Sequence, residues 1–226
     1  MGFKIELLGL CGAGKTTFLT AINSRLVSNI DLGLAYPIVP PISHTVLNLI
    51  KILCFGFFTE PIKFTRFILN KSNRWLVKKV AFRSAGINFR TNKNFILIDS
   101  GILQPFLSFE IEERLSDSKI PIKAILEGCI LPKLVIVFIV PPKIAMERYE
   151  QRGLSGKGKL IRENSRRHFD NADELRKNLV EYCIKKNIQI IEVHSSLQFS
   201  DKYLNSKLRE IQTKLYILEG KDAGTI

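Results

Sequence analysis

The chain has 226 residues, enough for one sizeable core and too few for two full-sized domains, so 1–226 is expected to form a single domain. At 46% hydrophobic and 24% charged it falls among globular proteins, which excludes disordered and fibrous classes. The formal net charge of +13 points to an anionic partner (a phosphorylated metabolite, nucleic acid or an acidic membrane surface), with simple solubility as the bland alternative.

Residues 3–8, FKIELL, are short and apolar and predict a buried strand, so the opening MGFKIELL reads as structure rather than as a signal peptide. The next stretch, GLCGAGKTTFL at 9–19, holds glycines 9, 12 and 14 ahead of Lys15, Thr16 and Thr17. This is the pattern G-x-x-x-x-G-K-[ST], set between a strand and a helix whose apolar spacing runs through Phe18, Leu19, Ile22 and Leu26. Glycine is required where a loop wraps phosphate with backbone N–H groups in conformations closed to other residues. Gly9, Gly12, Ala13, Gly14, Lys15, Thr16 and Thr17 are therefore expected to bind a nucleoside triphosphate, ATP, at the positive end of the helix. Lys15 would reach the β- and γ-phosphates, and the Thr16 hydroxyl would ligate Mg2+. A plain Gly-rich turn is the alternative.

Residues 30–44 form a Pro-rich connection with room for a short edge strand. TVLNLIKILCFGFF at 45–58 is nearly all apolar, yet shorter than the roughly 20 residues of a membrane span and interrupted by Lys51, so a buried helix is expected. An amphipathic helix is expected over 61–83, with Phe64, Phe67, Ile68, Trp75, Leu76 and Val80 inward and basic residues outward. No acid occurs between Glu60 and Asp99. The block 45–92 reads as a helical insertion in one core.

NFILID at 94–99 predicts a second buried strand ending in Asp99. An acid there can hold Mg2+, directly or through water; a carboxylate capping the next turn is the alternative. Helices are expected near 103–117 and 120–129, and KLVIVFIV at 133–140 predicts a third strand, followed by a Pro-Pro helix start. In the helix over 142–152, Arg148 and Arg152 are four apart and share a face. They precede a Gly- and Lys-rich stretch expected to form a lid loop over 153–165. Arginine on such a lid can stabilise the charge that spreads over a transferring phosphoryl group, or it can be a solvated basic surface. A helix near 167–186, a strand over 188–194 and a helix near 199–217 complete an alternating pattern. The fold class is therefore α/β: a parallel sheet of about five strands with helices on both faces. Four scattered cysteines without a C-x-x-C pair fit a reduced cytoplasmic protein, and three scattered histidines make a zinc site improbable.

The loop GLCGAGKT, the strand end ILIDSG and the run VIVFIVPPKIAMERYEQRG before a basic lid resemble the thymidylate kinase-like branch of the P-loop nucleoside and nucleotide kinases. The resemblance covers about 1–29 and 95–195. It implies a P-loop kinase fold in which Lys15, Asp99 and Arg152 are catalytic, Thr16 and Asp99 hold magnesium, and Arg148 sits near the adenine or the phosphates. The chain departs from that pattern in two places. Ser100 stands where such kinases have Arg, and YPIVP replaces an Arg-Glu-Pro step. Both elements serve the acceptor, so thymidylate is not the expected acceptor. Arg83, Asn88, Arg90 and Gln104 flank the strand carrying Asp99 and are the candidate acceptor contacts.

The reading that follows is an ATP-dependent phosphotransferase moving the γ-phosphate to an unidentified anionic acceptor, a phosphorylated metabolite or a lipid-linked one. The alternatives are a P-loop ATPase acting as a nucleotide switch, and a membrane-surface protein that binds ATP. TNKNF at 91–95 lacks the Asp of a guanine reader, no Asp-Glu pair follows the second strand, and no nucleic-acid-binding signature is present. A homodimer and peripheral contact with an anionic membrane are both compatible with the sequence.

Overall fold

The computed structural model describes residues 3–26, 32–35, 40–87, 95–112, 120–154, 165–195 and 199–218. Its strands are β1 (Phe3–Leu8), β2 (Leu32–Ala35), β3 (Phe95–Ile98), β4 (Leu134–Ile139) and β5 (Gln189–His194). They form one parallel sheet in the order β2-β3-β1-β4-β5, with β1 at its centre between β3 and β4. The runs FILI and LVIVFI are apolar throughout because a parallel sheet is covered on both faces.

Alternate residues feed two cores. Ile5, Leu7, Leu97, Ile136 and Phe138 face one cluster, where α1 (Lys15–Leu26) brings Phe18 and Ile22 and α9 (Asp201–Leu218) brings Leu204, Leu208, Ile211 and Leu215. Leu8, Val135 and Val137 face the other. It is filled from α2 (Ile42–Thr59), α3 (Pro61–Leu69), α4 (Lys71–Ile87), α5 (Gln104–Ile111) and α6 (Ile122–Leu126). The α7 helix (Pro142–Leu154) starts at Pro142, just past β4, and α8 (Ser165–Lys185) contributes to both cores, through Phe169 and Ala172 on one side and Leu179 and Cys183 on the other. Five strands with helices on both faces match the expected class, and β2 falls inside the stretch where an edge strand was expected.

Two expectations for the insertion are corrected. First, α2 is not a buried helix: Asn48, Ile52 and Gly56 are its only buried residues, and Phe58 is 90% exposed. Second, 61–83 is two helices rather than one. Asn70 leaves α3 in an extended conformation (ψ 126), and its side-chain oxygen accepts the Ser72 backbone N–H at 2.9 Å, which starts α4. The break changes the helical register, and Trp75, expected on the apolar side, is 60% exposed. Of the lid loop expected over 153–165, residues 153 and 154 end α7 and 165 opens α8, while 155–164 lie outside the described residues.

Candidate functional site

The crevice beyond the carboxyl ends of β1 and β3 is the ligand position of an open parallel sheet, and the glycine loop occupies it. The chain leaves β1 at Leu8, turns at Ala13, whose N–H donates to the Leu10 carbonyl at 3.1 Å, and enters α1. Gly12 (φ 86) and Gly14 (φ 83) both take left-handed backbone. A side chain at Gly12 would also run into the Ala145 carbonyl, and one at Gly9 would come within 2.8 Å of the Phe138 Cβ. Thr16 and Thr17 are exposed in the first turn of α1, where orphan N–H groups and the helix dipole favour an anion.

Lys15 folds back over its own loop and donates to the Gly9 carbonyl at 2.7 Å and the Leu10 carbonyl at 3.0 Å. Burial lowers its pKa, opposed by the charges of Cys11 and Asp99, while Arg152 adds to the lowering. The fold thus brings Lys15, Asp99 and Arg152, the three expected catalytic residues, into one electrostatic neighbourhood, with Arg152 exposed near the end of α7. A helix N-terminus can lower the pKa of a nearby thiol such as Cys11. Burial instead pushes the Cys11 thiol up, and the adjacent Lys15 only partly offsets this.

Asp99 follows β3, one residue beyond the Glu6–Ile98 pairing. Its Oδ1 is buried without a hydrogen-bond partner among the described residues, as are Nε and Nη1 of Arg83 on α4. Arg83 feels the charges of Glu6 and Asp99, although burial lowers its pKa overall. Gln104 is already engaged: its amide donates to the Gly9 carbonyl at 3.0 Å and accepts the Gly9 N–H at 3.3 Å, clamping the start of the glycine loop. Asn88 and Arg90 lie outside the described residues.

Sequence reasoning missed Glu6, the lone acid inside β1. Its carboxylate accepts the backbone N–H groups of Ile102 (3.1 Å), Leu103 (2.7 Å) and Gln104 (3.1 Å), the orphan donors that open α5. Burial pushes Glu6 up to about 7 despite these donors and the Arg83 charge. A side chain at Gly101 would collide with that carboxyl group. The available signal was a single charge in the otherwise apolar run I-E-L-L.

On the other side of the loop, Arg148 donates through Nη1 to the Ser195 hydroxyl at 3.2 Å and, at 3.5 Å, to the carbonyls of Gly12 and Ser195. Ser195 and Phe199 back Gly14, and Phe199 lies between Phe18 (5.4 Å, edge-on) and Tyr203 (6.2 Å, stacked). Arg148 is therefore held against the glycine loop, whereas Ser195 and Phe199 carried no sequence signal.

No protein-family profile matches the chain, and no curated protein matches it. Solved structures do. Deoxyadenosine kinase from M. mycoides with bound dATP aligns over 93% of this chain and 99% of that one, at a TM-score of 0.58 and 14% identity. The same enzyme with bound dCTP gives 0.55 and 16%, over 93% and 99%. With the products dCMP and a flexible dCDP it gives 0.55 and 17%, over 95% and 99%. The chain carries the fold of these kinases. At such identities the likeness concerns the fold, and the chemistry rests on the residues described above.

Proposed function

We propose that this chain is an ATP-dependent phosphotransferase that moves the γ-phosphate to a small acceptor bound between the Asp99 strand end and α4. The observation that carries the proposal is the phosphate loop. Two left-handed glycines, a lysine bent back over the loop carbonyls and an open helix N-terminus together form a cradle for polyphosphate. Lys15 releases its carbonyl contacts to meet the phosphates, which restores to its ammonium the anionic partner that its buried position lacks. Arg148 flanks the donor end, and Arg152 stabilises charge on the transferring group. An acceptor oxygen attacks the γ-phosphorus, the bond to the bridging β–γ oxygen breaks, and ADP leaves.

Magnesium fits the residues present. The Asp99 Oδ1 is buried without a partner and Thr16 offers an exposed hydroxyl, two hard oxygen donors of the kind that ion takes. Bound with ATP, it would neutralise phosphate charge. On the acceptor side, Arg83 carries unpartnered donors within reach of the Asp99 charge and supplies the cation that Ser100 cannot. An acceptor carrying phosphate, or another group that accepts a forked hydrogen bond, suits it. Because the matched kinases were solved with dATP, dCTP and dCMP, deoxynucleosides and their monophosphates form the first acceptor panel, followed by phosphorylated metabolites.

Transfer from labelled ATP to this panel tests the reading. Wild type should label at least one acceptor. Lys15→Ala should lose transfer by at least about a hundredfold while keeping its circular dichroism spectrum, since each interaction specific to the transition state accounts for that order of rate. ATP hydrolysis that no acceptor stimulates would assign the chain to the nucleotide switches. Normal turnover by Lys15→Ala would refute the phosphate-loop reading itself.

A further inference from the structure

Outside the site, the most unusual surface is the outward arc of α2. At 100° per residue, Val46, Phe57, Ile50, Cys54, Leu47, Phe58, Lys51 and Phe55 lie on the half of the helix that faces away from the core, which in the first turn also carries the polar Ser43 and His44. Every one of them is exposed, and all but Ser43, His44, Lys51 and Cys54 are large and apolar. Ile42 (83% exposed) extends this strip at the start of α2, and Ile62 continues it onto α3. Monomeric soluble proteins rarely leave so continuous an apolar face uncovered.

The charge beside it has one sign. Residues 40–87 hold eight lysines and arginines and a single acid, Glu60, which is paired with Lys63 at 3.0 Å. Lys71 and Lys78 are exposed on α4, and the Lys78 ammonium lies 5.3 Å above the ring of exposed Trp75, joining an amphipathic aromatic to a cation. Apolar side chains flanked by lysine and tryptophan have the composition of an interfacial helix.

We infer that the α2 face, with the basic flank of α4, docks on an anionic lipid surface. Charge complementarity selects this occupant over a second copy of the chain, because pairing two such faces would bring together like charges on molecules of net charge +13. Among the described residues α2 is the one helix long and apolar enough to cross a membrane. It lies along the surface instead. Its inner face is held in the core through Ile52, and Gly56 leaves room for the Phe64 ring, where any side chain would collide. Lys51 sits midway along the length of α2 near one edge of the outer arc, where a headgroup can meet it but hydrocarbon cannot. Arg74 is a poor choice for the test because it caps α3 through the carbonyls of Ile68 (2.8 Å) and Leu69 (3.1 Å).

The inference does not depend on the kinase reading, and its test uses binding alone. Co-sedimentation with phosphatidylcholine vesicles, with and without phosphatidylserine, is measured over a salt series. Wild type should pellet with the anionic vesicles at low salt and be released as salt screens the attraction. A Lys51→Gln, Lys71→Gln, Lys78→Gln variant should bind about a hundredfold more weakly, at about fivefold per charge. An Ile50→Ser, Phe58→Ser variant should lose retention at high salt first. Both variants should keep the wild-type circular dichroism spectrum and ATP affinity, which separates lost docking from lost folding and from failure of the kinase reading. Equal binding to neutral and anionic vesicles, or a triple variant that binds like wild type, would overturn the inference. So would a wild type that ignores vesicles and forms a dimer that Phe58→Ser dissolves, which would assign the face to a second copy.

Discussion

Replacing Glu6 by glutamine should flatten the pH dependence of folding stability between about pH 4.5 and about pH 7. Glu6 is 1% exposed, and burial raises its pKa from 4.5 to about 7 against the pull of three backbone donors and Arg83. Between those two values the folded chain holds a proton that the unfolded chain has released. Stability therefore falls as pH rises through this window, is undiminished below it, and has lost the full amount above it. The full loss is about 3 kcal/mol. At about 2.1 cal/mol/K per residue, the unfolding entropy of 226 residues converts this to a Tm change of about 6 °C. Glutamine keeps one oxygen for the Leu103 and Gln104 N–H groups but turns an NH2 toward the Ile102 N–H, a pH-independent cost of about 1–2 kcal/mol. Glu6→Gln should therefore begin below wild type near pH 5 and draw level with or overtake it by about pH 8. Thermal unfolding followed by circular dichroism, without nucleotide, measures both curves. Every other ionisable group is common to both proteins, so the difference curve isolates Glu6. Parallel curves would refute the argument, because the donors and Arg83 would then outweigh burial and keep Glu6 ionised throughout.

Two further outcomes test the site. Arg152→Ala should lower kcat by about a hundredfold or more and change ATP affinity little, because its interaction strengthens as charge spreads in the transition state; a variant that loses affinity at constant kcat would make Arg152 a donor-binding residue. In thiol labelling followed by mass spectrometry, exposed Cys54 should react well before Cys11, whose thiol is held up by burial, and Mg-ATP should slow Cys11 further without affecting Cys54. Faster labelling of Cys11 than of Cys54 would show that the helix N-terminus prevails over burial.

The glycine loop was legible in the sequence because its conformation resides in contiguous backbone. Glycines at 12 and 14 permit left-handed turns that no distant contact needs to create, and the flanking strand and helix announce themselves by local periodicity. The position of Asp99 just past β3 was legible for a related reason, as the first acid after an apolar strand. The roles of Glu6, Gln104 and Ser195 were not legible. Their partners lie 95 to 98 residues away for Glu6 and Gln104, and 47 residues away for Ser195 and Arg148. The pairing of β1 with β3 closes the first distances, and that of β4 with β5 closes the last. The pKa values of Glu6 and Cys11 likewise depend on desolvation, a property of whatever the fold packs around a group. The α2 helix makes the division sharpest. Its apolar composition suits a core, a membrane or a docking face equally well, and the sequence favoured a core. Tertiary structure turned three of its eighteen residues inward and left the apolar arc outside, because the inner face alone completes the packing over α4 and α6.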